Sequence, residues 1–172
     1  MLAVINHLRI LLLAAWLGAA IYFSAVVAPN VFGVLRSFSL PNANEMAGTI
    51  VTRTLSVVNT SGFILGLVLL ITTVVLKKRY GRASFVLQLG LLIVVAGATG
   101  LGEWVIAARM RVLRAAMQGQ IDHVPLDDPN RMAFAVLHGY SVAALGIAMM
   151  AAVLVILLMF LSRGKEIPVP TK

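Results

Sequence analysis

The chain contains no cysteine in its 172 residues. This absence excludes disulfide bonds, thiolate catalysis and lipid attachment through cysteine, and it leaves the redox compartment undetermined. Acidic residues are also scarce, with six Asp and Glu against fourteen Lys and Arg, for a formal net charge of +8. The basic residues flank apolar segments, and no aromatic and basic surface platform accompanies them, so the charge indicates lipid anchoring and no nucleic acid partner.

Charged residues are missing altogether from four stretches, which cover residues 10–35, 54–76, 83–102 and 132–162. Lipid offers backbone amides no hydrogen-bond partner, so a stretch that crosses it must be helical. About 20 apolar residues at ~1.5 Å rise match a hydrocarbon core of ~30 Å, and all four stretches are long enough. The sequence therefore predicts an all-α integral membrane protein, an antiparallel four-transmembrane-helix bundle with helical outer connections, in a single membrane domain.

Local signals set the expected boundaries of these elements. Proline cannot continue a helical ladder, so Pro29 is expected to end the first span. Asn42 with Glu45 is typical of a capping box, and Asp128 before Pro129 is typical of a helix N-cap. The expected spans are about 5–28, 56–76, 83–107 and 132–162, the outer helical connections are 30–55 and 108–130, and 163–172 form an extended tail.

The orientation follows from one short connection. Residues 77–82 read K-K-R-Y-G-R and carry four positive charges. Short basic loops stay cytoplasmic, so both termini are expected on the cytoplasmic side of the cell (inner) membrane. On this topology eight Lys and Arg lie inside and six outside.

Motifs for catalysis are absent from the sequence. It contains no G-x-S-x-G, no H-E-x-x-H and no P-loop, and no metal ligands at close spacing. The sequence thus gives no catalytic residue and no cofactor, leaves metal binding unknown, and favours a protein that is not an enzyme.

Five polar residues lie within or near the ends of the spans, where ionisable groups are costly and are candidates for a site. The antiparallel order places all five at the outer ends of their helices: Tyr22, Asn59, Glu103, His138 and Ser141. Glu103 and His138 are expected to form one polar site. Alternatively, Glu103 snorkels to the headgroups, His138 is a neutral imidazole bonded to a neighbouring helix, and Asn59 joins two helices.

Small residues indicate how the helices pack. Gly62 and Gly66 form a G-x-x-x-G pair, and Gly18 and Gly102 each follow an alanine at the same spacing. In lipid, close backbone approach replaces the missing hydrophobic drive, so these four glycines are candidates for helix packing. The alternative is that glycine is simply common in membrane helices.

Several short motifs resemble a known family. The W-L-G of residues 16–18, the Y-F of 22–23 and the A-P-N-V-F of 28–32 resemble the first helix of a bacterial membrane family that is described only as a domain of unknown function. That family is similar to the eukaryotic transmembrane protein 205 group. The F-A-V-L-H-G-Y-S of residues 134–141 resembles its last helix. More remotely, the first helix is similar to that of copper-resistance D-type membrane proteins. The resemblance implies a fold and a membrane location but no reaction.

Three functions remain open at this stage. The first is an accessory, scaffold or small-molecule-handling membrane protein, which fits the absence of catalytic motifs. The second is a haem- or copper-binding membrane redox protein, favoured by His138 and the remote resemblance. The third is a small oligomeric transporter, favoured by Glu103 and His138 at one depth. The expected partners are the lipid bilayer and a homo-oligomer or larger membrane complex.

Overall fold

A computed structural model describes residues 2–40, 42–117 and 121–161. Four helical segments dominate it, and each is 33 to 35 residues long. They cover Val4–Ser37, Ala43–Val75, Arg82–Ala116 and Pro129–Leu161. Each is long and apolar enough to cross a membrane, and no strand occurs in the described ranges. The predicted all-α, four-span bundle is confirmed; the expected tail lies outside the described residues.

Two of the segments are interrupted by π-helical turns. The first consists of α1 (Leu2–Tyr22), π1 (Phe23–Val27) and α2 (Ala28–Ser37), and the second is α3 (Ala43–Val75). The third consists of α4 (Arg82–Gly100), π2 (Leu101–Ala107) and α5 (Ala108–Ala116), and the fourth is α6 (Pro129–Leu161). Short 3₁₀ turns at Lys77–Arg79 and Ile121–His123 lie in two of the connections.

Pro29 lies at the start of α2 and does not end the first helix, so that prediction is wrong. A proline in an α-helix removes one hydrogen bond and clashes with the carbonyl four residues back. The wider π1 turn directly precedes it, and the Ala28 N–H bonds to the Phe23 carbonyl, five residues back. The Asn30 side chain donates to the Val26 carbonyl at 2.7 Å. The π turn thus accommodates the ring, and the helix continues to Ser37.

The two helix starts predicted from capping residues differ in detail. α6 begins at Pro129, and Asp128 Oδ1 accepts from the Asn130 and Arg131 N–H groups at 2.8 and 3.2 Å. That N-cap is confirmed. α3 begins after Asn42 as expected, but the Asn42 side chain makes no capping bond, so the predicted capping box does not form.

The four segments pack as a ring. α1 contacts α3 and α6, and α4 contacts the same two helices from the other side. The centre of the ring is filled by fully buried side chains: Leu13, Leu69, Leu92, Val155 and Met159. Only 28% to 33% of the most apolar window of each segment is buried. The remaining apolar surface points outward, as a lipid-facing bundle requires.

Three glycines on α3 and π2 lie at close contacts, and Gly18 does not. A Cβ at Gly62 would lie 2.6 Å from the Trp16 ring, and one at Gly66 would lie 3.0 Å from Ala96 Cβ. A Cβ at Gly102 would lie 3.1 Å from Asn59 Nδ2. Nothing lies within 4 Å of a Cβ built on Gly18, which is exposed. The packing contact expected at Gly18 is therefore not made within one copy of the chain.

The helices are longer than a bilayer requires. A 33-residue helix measures about 50 Å, whereas the hydrocarbon core is about 30 Å thick. We call the end where α1 begins and α6 ends the Arg9 end, and the opposite end the Glu103 end. If the hydrocarbon begins at the basic 77–82 connection, about 20 residues lead to Ser56, Glu103 and Ser141. We call the helical parts beyond this level the extension: residues 28–37, 43–55, 104–116 and 129–140.

A candidate polar site at the Glu103 end

Glu103 is a buried carboxylate at the base of the extension. It lies in π2 and is 7% exposed. Ser56 Oγ on α3 donates to its Oε1 at 2.9 Å, and Arg111 Nη1 on α5 lies 3.6 Å from the same oxygen. The Arg111 side chain is 54% exposed. The Ser56 hydrogen bond therefore joins α3 to the third segment, whereas the Arg111 ion pair lies within the third segment.

The π2 turn sets the position of this carboxylate. Gly102 precedes it and packs against the buried side chain of Asn59, which is why a Cβ at residue 102 would crowd the Asn59 amide. Trp104, which directly follows Glu103, is exposed, and its ring meets the Phe63 ring edge-on with the centroids 4.7 Å apart. π turns occur frequently at functional sites because the extra residue re-aims neighbouring side chains.

A second arginine joins three helices farther along the extension. Arg114 Nε on α5 lies 3.5 Å from Glu45 Oε1 on α3, and its guanidinium lies 5.6 Å from the centre of the Phe134 ring on α6. A Cβ at Gly48 would lie 2.8 Å from Arg114 Nη2. The Glu45 side chain is thus paired with Arg114, while the Asn42 side chain makes no capping bond.

Asn59 lies beside Gly102, next to Glu103, whereas the other expected members of the polar site differ in burial. His138 is exposed on α6, whereas Ser141 is buried. The buried face of α6 runs through Ser141 and Leu145, and His138 lies beside that face and points outward. Tyr22 is also exposed, on α1. The structure brings Glu103 together with Ser56 and Arg111, and among the described residues no hydrogen bond or ion pair joins Glu103 to His138.

The described residues offer this site one partly free carboxylate, which can bind a hydrogen-bond donor or a cation. Glu103 Oε1 accepts the Ser56 hydrogen bond, and no described residue donates to Oε2. The free oxygen can accept a hydrogen bond or hold a cationic group. Among the described residues, no group of three His, Cys, Asp or Glu side chains lies close enough to hold a metal ion.

Sequence reasoning missed a second polar cluster, at the Arg9 end. Arg9 is 3% exposed; its Nη1 donates to the Tyr80 hydroxyl at 2.6 Å, and its Nη2 donates to Thr73 Oγ1. The Tyr80 hydroxyl in turn donates to Asn6 Oδ1 at 3.4 Å. The helical spacing of residue 9 from the apolar positions 13, 16 and 20, which are buried, indicates that Arg9 lies on the inward face of α1.

The comparisons with known proteins identify a family but no function. The sequence profile described as "Domain of unknown function (DUF4149)" matches residues 11–119, more than half of the chain. The chain belongs to this family. No curated protein and no solved structure matches it significantly. The similarity to the transmembrane protein 205 group and to copper-resistance D-type proteins stays a prediction, and the last-helix motif at 134–141 lies outside the matched residues.

Proposed function

We propose that this member of the family is a non-catalytic membrane protein, an accessory subunit or scaffold that docks a partner protein against its extension. The supporting observation is a set of large apolar side chains exposed beyond the level of Glu103. Those on α2, directly after it and on the first turns of α6 are Val34, Phe38, Met132 and Val136. Phe38 follows α2 directly and is 68% exposed.

The exposed side chains lie on two elements, α2 and the start of α6, that pack on different neighbours, and we infer an opening between them. α1 packs against α6, but beyond π1 the chain turns onto α3, so that α2 packs against α3. The start of α6 packs against α5 instead. The described residues show no extensive contact between α2 and α6. An apolar helix of a partner would fit between them.

Burial of these side chains would favour docking. Removing apolar surface from water is worth about 25 cal/mol per Å², and contiguous exposed apolar surface marks interaction sites. The Glu103–Ser56–Arg111 contacts and the Arg114–Glu45 pair cross-link α3, α5 and α6 below and beside the opening. A surface held in place in this way loses less conformational entropy when it binds.

Photo-crosslinking tests this proposal. A photoreactive amino acid is placed at Phe38 or Val136 on the extension and, as matched controls, at Ile147 or Leu157, which are exposed farther along α6. Illumination of native membranes should give a discrete adduct with another protein from the extension positions and lipid adducts from the controls. Lipid adducts at all four positions would contradict partner docking, and an adduct of twice the chain's mass would assign the partner as a second copy.

We also propose that the protein resides in the cell (inner) membrane with the Arg9 end in the cytoplasm. The 77–82 connection, which holds four basic residues, belongs to this end. This connection supports the orientation, because short loops rich in Lys and Arg stay on the cytoplasmic side.

The alternative functions gain no support from the described residues. A haem or copper site needs converging ligands, whereas His138 is exposed on α6 and belongs to no group of three His, Cys, Asp or Glu side chains among the described residues. A transporter in which Glu103 and His138 share one polar site requires them to meet, and they do not.

A further inference from the structure

The Arg9 cluster encloses a positive charge among neutral groups. Its described hydrogen-bond partners are the hydroxyls of Thr73 and Tyr80, and Asn6 extends the cluster through Tyr80. The Arg9 Nε atom is buried and has no hydrogen-bond partner. The Thr73 hydroxyl is already engaged as a donor to the Leu69 carbonyl at 2.7 Å. The guanidinium is therefore desolvated and incompletely hydrogen-bonded.

No described carboxylate balances this charge. The ion pairs among the described residues are both at the Glu103 end. The basic residues of the 77–82 connection add charge of the same sign as Arg9, and two of them, Lys77 and Lys78, are exposed. Removing a guanidinium from water costs several kcal/mol unless it gains a counter-ion and a full set of hydrogen bonds. Among the described residues, the Arg9 end therefore holds no anion.

We propose that the Arg9 cluster binds the phosphate group of an anionic phospholipid. A guanidinium binds phosphate oxygens through parallel charge-assisted hydrogen bonds, and the Tyr80 hydroxyl and the Asn6 amide add neutral donors. Tyr80 is only partly buried, so the phosphate approaches on its side and takes the phenol's place on Arg9 Nη1. The exposed lysines attract anionic lipid to this end.

The position of the cluster suits a headgroup. Arg9 bonds to Thr73, two residues before the end of α3, and to Tyr80 in the connection that follows. This is the level where the charge-free segments end. The same phosphate chemistry would bind free inorganic phosphate, and the test separates the two sources. The proposal is independent of partner docking at the Glu103 end.

Binding is measured as the thermal stability of the purified full-length protein in a zwitterionic detergent. Dioleoylphosphatidylglycerol, dioleoylphosphatidylcholine or inorganic phosphate is titrated in. Phosphatidylglycerol should raise the melting temperature of the wild type, whereas phosphatidylcholine at the same concentration should not. Arg9→Gln should weaken the apparent affinity for phosphatidylglycerol about tenfold or more, the effect of losing a charged hydrogen-bond pair. Lys78→Gln, an exposed basic residue at the same end, is the matched control and should change it less.

Each outcome decides the proposal. If phosphate alone stabilises the wild type as well as the lipid does, and Arg9→Gln abolishes both effects, the cluster binds free phosphate and the lipid assignment is overturned. An equal response of wild type and Arg9→Gln to phosphatidylglycerol overturns the site. Should Arg9→Gln fail to fold, Arg9→Lys and Tyr80→Phe, read by native mass spectrometry of co-purified lipid, replace it. Retention of as much phosphatidylglycerol as in the wild type by both variants contradicts the proposal.

The tail supplies a further control, because Glu166 is the one acidic residue after position 128. Glu166→Gln should leave both the melting temperature and the response to phosphatidylglycerol unchanged. If Glu166→Gln lost as much stability as Arg9→Gln, and if Arg9→Gln responded to phosphatidylglycerol as the wild type does, the tail carboxylate would be the counter-ion. That result would overturn lipid binding at Arg9.

Discussion

The two ends of the bundle hold buried charges of opposite sign in different ways. At the Glu103 end the carboxylate has a hydroxyl donor and an arginine, and that arginine is 54% exposed. At the Arg9 end the guanidinium is 3% exposed, and its described partners are neutral hydroxyls. The charge of Glu103 is balanced by an arginine of the chain, whereas no described residue supplies a counter-ion for Arg9.

The difference also separates two kinds of interaction. At the Glu103 end the charges fasten helices to one another and leave apolar side chains free for a partner. At the Arg9 end the helices close around a cation, and none of the residues that the structure describes is its counter-ion. We infer that the Glu103 end is suited to a protein and the Arg9 end to a lipid headgroup.

Close packing midway along the helices, at Gly66 and Ala96, holds the two ends of the bundle in register. Gly66→Leu breaks that packing, because even a Cβ at residue 66 would lie 3.0 Å from Ala96 Cβ and 3.2 Å from the Ala96 backbone. We expect a destabilisation of about 1–3 kcal/mol or more, since overpacking forces the helices apart. Thermal unfolding in detergent measures it. Gly18→Leu is the matched control, with nothing within 4 Å of its Cβ, and should be nearly neutral. Equal melting temperatures for both variants would show that Gly66 is not at a tight contact between helices.

Removing one hydroxyl at each end sharpens the comparison. Thr73→Val keeps the shape but leaves a buried Arg9 N–H without its acceptor, which should cost about 1–3 kcal/mol. Ser56→Ala removes a donor from Glu103, but Arg111 and water can still reach that carboxylate, so the cost should be about 0.5–1.5 kcal/mol. Both are measured by thermal unfolding in the same lipid-free detergent. A larger loss for Ser56→Ala would contradict this contrast between the two ends.

The smallest effect concerns pairing at the Glu103 end. In a double-mutant cycle, Glu103→Gln and Arg111→Gln should couple by no more than about 1 kcal/mol, because Arg111 is half-exposed. Glu103→Gln and His138→Gln should be additive, since no contact joins those residues. Coupling between Glu103 and His138 that exceeds the coupling to Arg111 would restore the site expected from the sequence.

The fold could be predicted from the sequence because it follows from the need to satisfy backbone hydrogen bonds within each long stretch that crosses lipid. Residues 10–35, 54–76, 83–102 and 132–162 lack charge, and any such stretch in lipid must be helical. The capping signal at Asp128 was local and therefore readable. Pro29 misled, because a π turn ahead of a proline depends on how the following helix packs against α3.

The polar sites were less accessible because they depend on which face of a helix turns inward. Counting residues from the helix ends predicts Glu103 and His138 at one depth in the membrane. Whether the histidine faces inward or outward depends on the rotation of α6 about its own axis, which residue counting does not give. Arg9 was interpreted as a flanking charge, although it lies on the same face as the buried Leu13 and Trp16. Its partners Thr73 and Tyr80 are more than 60 residues away in sequence, so only the packed bundle shows the cluster.

The central claim is that the extension stands outside the hydrocarbon, on the opposite side of the membrane from the Arg9 end. The absence of cysteine makes single-cysteine labelling clean. Cysteines are placed at Gly81, Val112, His123 and Ile147 and treated with a membrane-impermeant maleimide. The account predicts labelling of residues 112 and 123 in intact cells, of residue 81 only after permeabilisation, and of residue 147 under neither condition. Labelling of residue 81 in intact cells with none at 123 would reverse the orientation, and protection of 112 and 123 under both conditions would contradict the extension itself.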